Sequence, residues 1–345
     1  MSSSGSYGRK IFVFLISVFA LLCVYTPTAS AQFKAWVAAK LPDTPEGLGI
    51  DAKGNLYAAL AHTNEVVMLK NDGGCEHIAW VPSKAERGRG QLSGLDVDKQ
   101  GNIYVAYKQN SKYDAGDLHS PFHAACRDAT VTRSGVYKID AKTHEVAPLA
   151  TRADGWPFCF PDDVAVDSRG NVYMTDLTYS AIWKISADGR KVDLWSDDAL
   201  LNPPAKPYSG YFAGVNDLAL DNGEKNIIAV TDGDPMVLRI PIEPDGSAGK
   251  PEPLPTGYSF LDGVALDPRG NIYISEILQS DIWVLSPDGS QRILIASKRN
   301  APLDNNTSVI VKGDVLCTAN LGFSHAKLAD ADRTVVCMSG FPVPQ

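Results

Sequence analysis

The segment PDDVAVDSRGNVY at residues 161–173 is one copy of a unit that recurs along the chain and decides its fold. It has an alternating apolar run, a Gly-Asn turn and a second apolar run, a pattern that predicts a β-hairpin. Comparable copies are PEGLGIDAKGNLY at 45–57, LSGLDVDKQGNIY at 92–104, VNDLALDNGEKNII at 215–228 and LDGVALDPRGNIY at 261–273. A degenerate sixth copy, NTSVIVKGDVLC, covers 306–317. Six copies of one hairpin indicate a repeat architecture in which each copy opens one structural unit.

Two further short apolar runs accompany most hairpins. The third strands are EVVMLK, GVYKID, AIWKIS, MVLRIP, DIWVLS and TVVCMS, and the fourth are EHIAWV, EVAPLA, KVDLWS, PEPLPT and RILIAS. The sixth unit has no fourth strand after Cys337, whereas an unassigned strand, FKAWVAA at 33–39, precedes the first unit. We therefore predict an all-β, six-bladed β-propeller with four strands per blade. Its ring closes when the N-terminal strand pairs with the last blade.

The N-terminus has the three parts of a secretory signal. Arg9 and Lys10 form the basic region, an apolar run follows from Ile11 to Val24, and Ala29-Ser30-Ala31 has the form of a cleavage site. Because that run is shorter than the roughly 20 residues that span a bilayer, a cleaved signal is favoured over an uncleaved anchor. We predict a signal peptide over 1–31 and a propeller domain over 32–345. The mature protein is then secreted or periplasmic, without a membrane span.

Composition and charge narrow the partners. The 345 residues are 44% hydrophobic and 21% charged, as in globular proteins, and the formal net charge is −8. Without a cluster of Lys and Arg, an acidic chain is a poor nucleic-acid binder and suits a cation or a neutral small molecule better. The sequence also lacks the G-x-S-x-G, H-E-x-x-H and Walker motifs, so serine hydrolase, zincin and NTPase functions have no support. We expect a monomer.

Five cysteines follow the predicted signal, and none stands in a C-x-x-C pair, which argues against a thiolate zinc site. Export permits disulfides. Cys317–Cys337 is the first predicted pair, because both residues lie in short apolar strands close in sequence. Cys126–Cys159 is the second predicted pair, and an odd count leaves one thiol over.

The second position of each repeat predicts a site. The six residues there are Glu46, Ser93, Asp162, Asn216, Asp262 and Thr307. In a propeller the first strand of each blade lines the central channel, so these side chains converge on one mouth. Oxygen donors that converge from several directions suit a hard cation such as Ca²⁺. The alternative is that they only hydrate the mouth of a water-filled channel. By contrast, the aspartates of the hairpin turns recur too regularly to be catalytic and are predicted to cap those turns.

The repeat and this ring resemble the SMP-30/gluconolactonase/LRE-like family of six-bladed propellers. The resemblance implies that Glu46, Asn216 and Asp262 hold one divalent metal, with Asp162 beside it. It also implies that Asp262 is the general base, with Asp162 in that role if Asp262 only ligates. The implied cofactor is Ca²⁺, with Zn²⁺ or Mn²⁺ as alternatives. The implied activity is an exported, metal-dependent hydrolysis of a small-molecule lactone or ester.

Further residues are candidates for contact with the substrate or the metal ligands. Ser93 and Thr307 complete the ring. Lys108, Asp176 and Asp232 lie where second strands lead into loops that are predicted on the same face. Asp176 and Asp232 each follow a Thr and are expected at the same strand position. An insertion from Gln109 to Ser134 is predicted to arch over the ring, because loops this long are uncommon and often functional. A second long connection runs from Asn202 to Ala213. The candidates in these two connections are His119, His123 and Tyr211.

Fold alone does not fix the function. One alternative is a non-catalytic propeller that binds a ligand or partner and keeps the cation as a structural plug. Another is a strictosidine-synthase-like enzyme or lyase that uses the same pocket.

Overall fold

The computed structural model describes residues 32–110, 128–202, 213–255, 257–322 and 333–344. In this part of the chain, six four-stranded antiparallel sheets follow one another, one for each repeat. From the inner strand outward, blade one comprises Pro45–Ile50, Leu56–Leu60, Glu65–Leu69 and Cys75–Trp80. Blade two comprises Gly90–Val97, Ile103–Gln109, Gly135–Ile139 and Val146–Ala150. Blade three comprises Pro161–Val166, Val172–Asp176, Ala181–Ile185 and Val192–Ser196. Blade four comprises Val215–Leu220, Asn226–Thr231, Val237–Pro241 and Glu252–Pro253. Blade five comprises Leu261–Leu266, Ile272–Glu276, Asp281–Leu285 and Arg292–Ala296. Blade six comprises Asn306–Lys312, Val315–Asn320, Thr334–Ser339 and Lys34–Lys40.

The ring closes as predicted. The strand Lys34–Lys40 pairs antiparallel with Thr334–Ser339, so the first strand of the described residues is the outer strand of the last blade. Each inner strand contacts the inner strand of the next blade, and that of blade six contacts that of blade one. The prediction of an all-β, six-bladed propeller with four strands per blade is therefore confirmed.

The hairpin turns form because each has an aspartate that binds the turn's own backbone. In blade one the Asp51 carboxylate accepts the backbone N–H groups of Lys53 at 2.9 Å and Asn55 at 2.8 Å. It also accepts the Asn55 side-chain amide at 2.7 Å. Gly54 supplies the positive φ of 92° that the turn requires. The turn aspartates Asp98, Asp167 and Asp267 bind their turn asparagines in the same way. In the longer turn of blade four, Asp221 accepts the backbone N–H of Lys225 and the side-chain amide of Asn226. These side chains are structural, as predicted.

The hydrophobic core is divided into six clusters, each between two neighbouring blades. Between blades one and two, for example, Val66 packs in one cluster with Leu92 and Tyr107. Since each blade buries both of its faces this way, the loss of one strand exposes apolar side chains of the neighbouring blade as well.

Blade four has the weakest outer strand. It is reduced to Glu252–Pro253, because the prolines at 251, 253 and 255 lack the N–H group that a ladder needs. The other elements of the described ranges are the 3₁₀ turns Lys84–Glu86 and Ala199–Leu201 and a small hairpin of Arg152–Ala153 with Trp156–Pro157. Among the described residues, we find no helix with the length and apolar character needed to cross a bilayer.

The cysteines agree with the first predicted pair. Cys317 and Cys337 lie opposite each other in adjacent strands of blade six and form a disulfide. Cys159 is also disulfide-bonded. Its predicted partner, Cys126, lies outside the described residues, as does the predicted signal over 1–31. Cys75 is a free thiol.

Candidate functional site

A β-bulge at the start of each inner strand builds the mouth of the channel. In blade three the pairing register shifts between Pro161 and Val164, and the other five inner strands shift at the equivalent place. All six second-position residues fall within these bulges. A bulge places two residues opposite one and re-aims their side chains. This explains how adjacent residues, such as Asp162 and Asp163, can both serve the interior of the ring.

The structure brings the predicted metal-site carboxylates together in a buried environment. Asp162 and Asp262 are only 5% and 7% exposed. Burial, followed by the negative charges of Asp162 and Asp262, holds the pKa of Glu46 well above its usual range. Burial and the charge of Asp262 do the same for the pKa of Asp162. Each carboxylate therefore disfavours the ionised form of the others.

The pKa of Asp262 lies near neutrality. Burial, with a smaller contribution from Asp163, raises its pKa to about 7. A carboxyl with a pKa near neutrality can hold or release a proton at ordinary pH, which is the property required of a general base or acid. Without a cation, however, the ring keeps part of its carboxyls protonated.

The basic side chain of Lys108 affects the ionisation of a ring carboxylate. The positive charge of Lys108 lowers the pKa of Asp162, opposing the effects of burial and of the neighbouring carboxylates. The Lys108 ammonium lies 4.8 Å from the centroid of the Phe160 ring, two residues before Asp162. Lys108 therefore lies close to Asp162, and a contact of Lys108 with substrate stays a prediction.

Asn216 and Asp232 form a buried pair. The Asn216 Nδ2 group donates to Asp232 Oδ2 at 3.0 Å, and the two residues are 8% and 2% exposed. Asp232 Oδ1 is buried without a hydrogen-bond partner. Burial, followed by the charge of Asp262, holds the pKa of Asp232 well above its usual range. Asp232 thus belongs to the same electrostatic cluster as the ring.

The two ring hydroxyls connect neighbouring blades. Ser93 Oγ donates to the Pro161 carbonyl at 3.0 Å, and Thr307 Oγ1 donates to the Glu46 carbonyl at 2.8 Å. Their hydroxyl protons are committed to the backbone beside Asp162 and Glu46. These bonds support the bulges on which the carboxylates stand, and a role in contacting substrate stays a prediction.

Asp176 braces a loop. Its carboxylate accepts three backbone N–H groups, from Cys159 at 2.8 Å, Phe160 at 3.0 Å and Tyr179 at 3.1 Å. Asp176 lies opposite Pro161, whereas blade four has Thr231 at the equivalent place, opposite Val215. Asp176 and Asp232 therefore do not share a strand position, and that expectation was wrong. Blade four has one more residue between the turn residue Asn226 and its Thr-Asp pair than blade three has after Asn171, so Asp232 lies one position further along its strand.

A second layer of acidic residues, at the third repeat position, was not predicted from the sequence. Asp163 and Asp217 share a hydrogen bond between their side chains, and burial raises the pKa of both. Each also accepts a backbone N–H group of the next blade, from Leu218 at 3.3 Å and from Val264 at 3.0 Å. The signal was in the third repeat position, where the other residues are Gly47, Gly94, Gly263 and Ser308.

Gly94 shows why most of that position is small. A Cβ atom at Gly94 would lie 1.8 Å from Asp163 Oδ1 and 2.7 Å from the Asp163 Cα atom. Three glycines therefore let neighbouring inner strands approach closely, while two aspartates fill the remaining space. Beyond this layer, a cavity of about 370 Å³ extends towards the hairpin turns, with Asp96, Asp163 and Asp217 in its wall.

Three predicted contacts, His119, His123 and Tyr211, lie outside the described residues. The described base of the first insertion is held by Gln109, whose side-chain oxygen accepts the backbone N–H groups of Thr132 at 3.0 Å and Arg133 at 2.9 Å.

The donor set at the mouth fits a hard cation. Within the described ranges, no three His, Cys, Asp or Glu side chains are grouped closely enough to form a metal site by themselves. The predicted set instead combines two carboxylates with one amide, at Glu46, Asp262 and Asn216. Oxygen donors of this kind suit Ca²⁺. Asp232 Oδ1 is a further buried oxygen beside this set, and it has no hydrogen-bond partner among the described residues.

Several solved structures share this fold. A gluconolactonase from Xanthomonas campestris superimposes with a TM-score of 0.64 at 13% identity, over 91% of both chains. A PQQ-bound aldose sugar dehydrogenase from Streptomyces coelicolor matches with a TM-score of 0.58 at 14% identity, covering 90% of this chain and 98% of that one. At these identities the likeness concerns the fold alone.

Sequence comparison gives closer relationships. A gluconolactonase of Zymomonas mobilis is 25% identical over 270 residues, which are 69% of this chain and 62% of that protein. The chain thus spans less than two thirds of the length of that relative. These findings confirm the predicted resemblance to gluconolactonase-type six-bladed propellers. A family model described as Mal s 1 allergenic protein-like matches residues 44–252, more than half of the chain. The chain therefore belongs to the Mal s 1 allergenic protein-like family.

Proposed function

We propose that this protein is an exported hydrolase of lactone-type esters whose site lies at the channel mouth and depends on a divalent cation. The observation that carries the proposal is the group of the buried Asp162 and Asp262 with the half-buried Glu46, beside the Asn216 amide, with pKa values raised by desolvation and by neighbouring carboxylates. The relationship to a gluconolactonase supports the class of substrate. The N-terminal sequence has the pattern of a cleavable secretory signal, and Cys317 and Cys337 form a disulfide. Both features support export.

Glu46, Asn216 and Asp262 would hold the cation, with Ca²⁺ preferred and Zn²⁺ or Mn²⁺ as alternatives. When bound, the cation would polarise the ester carbonyl and stabilise the negative charge that develops on its oxygen.

Asp162 is the better candidate for general base when Asp262 is a ligand, because a carboxylate bound to a metal is a weak base. Asp162 would take the proton of the attacking water on a carboxylate oxygen. Burial keeps its proton affinity high, whereas the Lys108 ammonium favours its ionised form. These opposing effects suit a group that must be ionised before the reaction and protonated after it.

The test is hydrolysis of a lactone panel by purified mature protein, stripped with chelator and then supplied with Ca²⁺, Zn²⁺, Mn²⁺ or no metal. We expect metal-restored turnover that Glu46→Gln and Asp262→Asn lower by about 100-fold or more, the scale of losing an electrostatic stabiliser. Asp193→Asn, at a solvent-exposed ion pair with Lys191, should leave the rate unchanged. Metal binding that raises the melting temperature without any lactone turnover would instead favour a structural cation in a binding propeller.

A further inference from the structure

Blade four departs from the other blades where its second strand reaches the mouth. The Asp232 backbone N–H donates to the Gly214 carbonyl at 3.1 Å. The residues that make the equivalent backbone bond in other blades are apolar, namely Ala61, Leu177, Ile277 and Leu321. Blade four therefore places a carboxylate where four other blades place a hydrocarbon side chain.

The cause is the spacing of the Thr-Asp pair from the hairpin turn. Asp232 is the sixth residue after the turn residue Asn226, as Leu177 is the sixth after Asn171. In blade three the Thr-Asp pair comes one residue earlier, so Asp176 is the fifth residue after Asn171 and Asp232 takes the position of Leu177. The side chain is consequently buried beside Asn216 rather than bound to a loop backbone as Asp176 is.

We propose that Asp232 is a positioning residue that fixes the orientation of the Asn216 amide at the channel mouth. An amide can present either its oxygen or its NH₂ group to the axis. Because Asp232 Oδ2 accepts the Asn216 Nδ2–H, the pair reserves the Asn216 carbonyl oxygen for the cation. Partners that orient metal ligands in this way commonly change metal affinity by about 10- to 100-fold.

This inference rests on the proposed function, because it needs a cation at the mouth. It goes further by assigning a task to a side chain outside the ligand set. The unpartnered Asp232 Oδ1 is consistent with that task, because it shows that this carboxylate does not brace a loop backbone as Asp176 does.

The test compares two variants that both remove the charge at position 232. Asp232→Asn keeps a side-chain oxygen that can accept the Asn216 Nδ2–H, whereas Asp232→Leu introduces the residue type of Leu177 and Leu321 and has no acceptor. We expect calorimetric titration with Ca²⁺ to show at least about tenfold weaker binding by Asp232→Leu than by Asp232→Asn. In an Asn216→Ala background the difference between the two should disappear, as expected of residues that act through one contact.

Equal Ca²⁺ affinity of Asp232→Leu and Asp232→Asn, in a protein whose wild type binds Ca²⁺, would overturn this inference and leave the proposed function standing. Absence of Ca²⁺ binding by the wild type would overturn both. Melting temperatures measured without cation identify any variant that fails to fold. Asp232→Ala, which matches Ala61 of blade one, replaces the leucine variant in that case.

Discussion

At the scale of single residues, the inner strands carry charges that only some blades possess. Asp96 is the one carboxylate at the fifth repeat position, where the other blades have Gly49, Ala165, Ala219, Ala265 and Ile310. Its two oxygens accept the backbone N–H groups of Val97 at 2.7 Å and Val166 at 2.9 Å, which ties blade two to blade three. Burial nevertheless raises its pKa to about 6, because the desolvation of the charge exceeds the gain from these bonds.

The raised pKa of Asp96 predicts a pH-dependent stability. The folded state holds the proton up to about pH 6, whereas the unfolded chain releases it near pH 4. The contribution of Asp96 to the free energy of unfolding therefore falls as the pH rises through this interval, by about 2–3 kcal/mol. Urea denaturation at pH 4, 5, 6 and 7 should show that the difference between wild type and Asp96→Asn changes by this amount. A difference that is constant with pH would contradict the prediction.

At the scale of elements, the register of the second strand and a bulge in the inner strand determine what each blade presents to the mouth. The bulges of all six inner strands re-aim the second and third repeat positions, so two layers of side chains arise from adjacent residues. In blade six the second and third strands are further joined by a disulfide in register, Cys317 with Cys337. This blade is assembled from both ends of the chain.

The Cys317–Cys337 bond should contribute measurably to stability. The cross-link restricts the unfolded chain across 20 residues of sequence, for which about 2–4 kcal/mol is typical. We expect the double variant Cys317→Ala/Cys337→Ala to lose that much free energy of unfolding in urea. Cys75→Ala, which removes a free thiol, serves as the control. Equal stability of the double variant and the control would show that the bond adds nothing to this blade.

At the scale of the whole molecule, the strand Lys34–Lys40 closes the ring. It covers the edge of Thr334–Ser339, and Ala39 lies in the cluster between blades six and one. Without it, that edge would present unpaired backbone groups and the adjoining cluster would lose part of its cover.

A chain that begins at Pro42 should therefore lose cooperative thermal unfolding and associate through the open edge. Circular dichroism melts and light scattering after size exclusion measure both effects. A chain that begins at Gln32 is the matched control, and a peptide of residues 32–41 added to the shorter chain should restore part of the transition. A sharp, monomeric transition of the shorter chain alone would show that ring closure is dispensable.

The fold could be predicted from the sequence because its evidence is local and repeated. The turn aspartates, the Gly-Asn turns and the alternating apolar runs recur in the hairpins, and the unassigned strand at 33–39 completed the strand count. The second-position ring was accessible for the same reason, since an equivalent position in each blade faces the same axis.

The tertiary structure alone decided which residues meet. Three contacts join residues that come together only through the bulges and the packing of one blade on the next. They are the Asp163–Asp217 contact, the bond of Asp96 to the next blade and the Asn216–Asp232 pair. The Thr-Asp pairs of blades three and four are visible in the sequence, but the different places of Asp176 and Asp232 appear only when strand registers are compared. Sequence periodicity fixed the six blades, whereas the burial and mutual charge of the carboxylates arise only when those blades close around one channel.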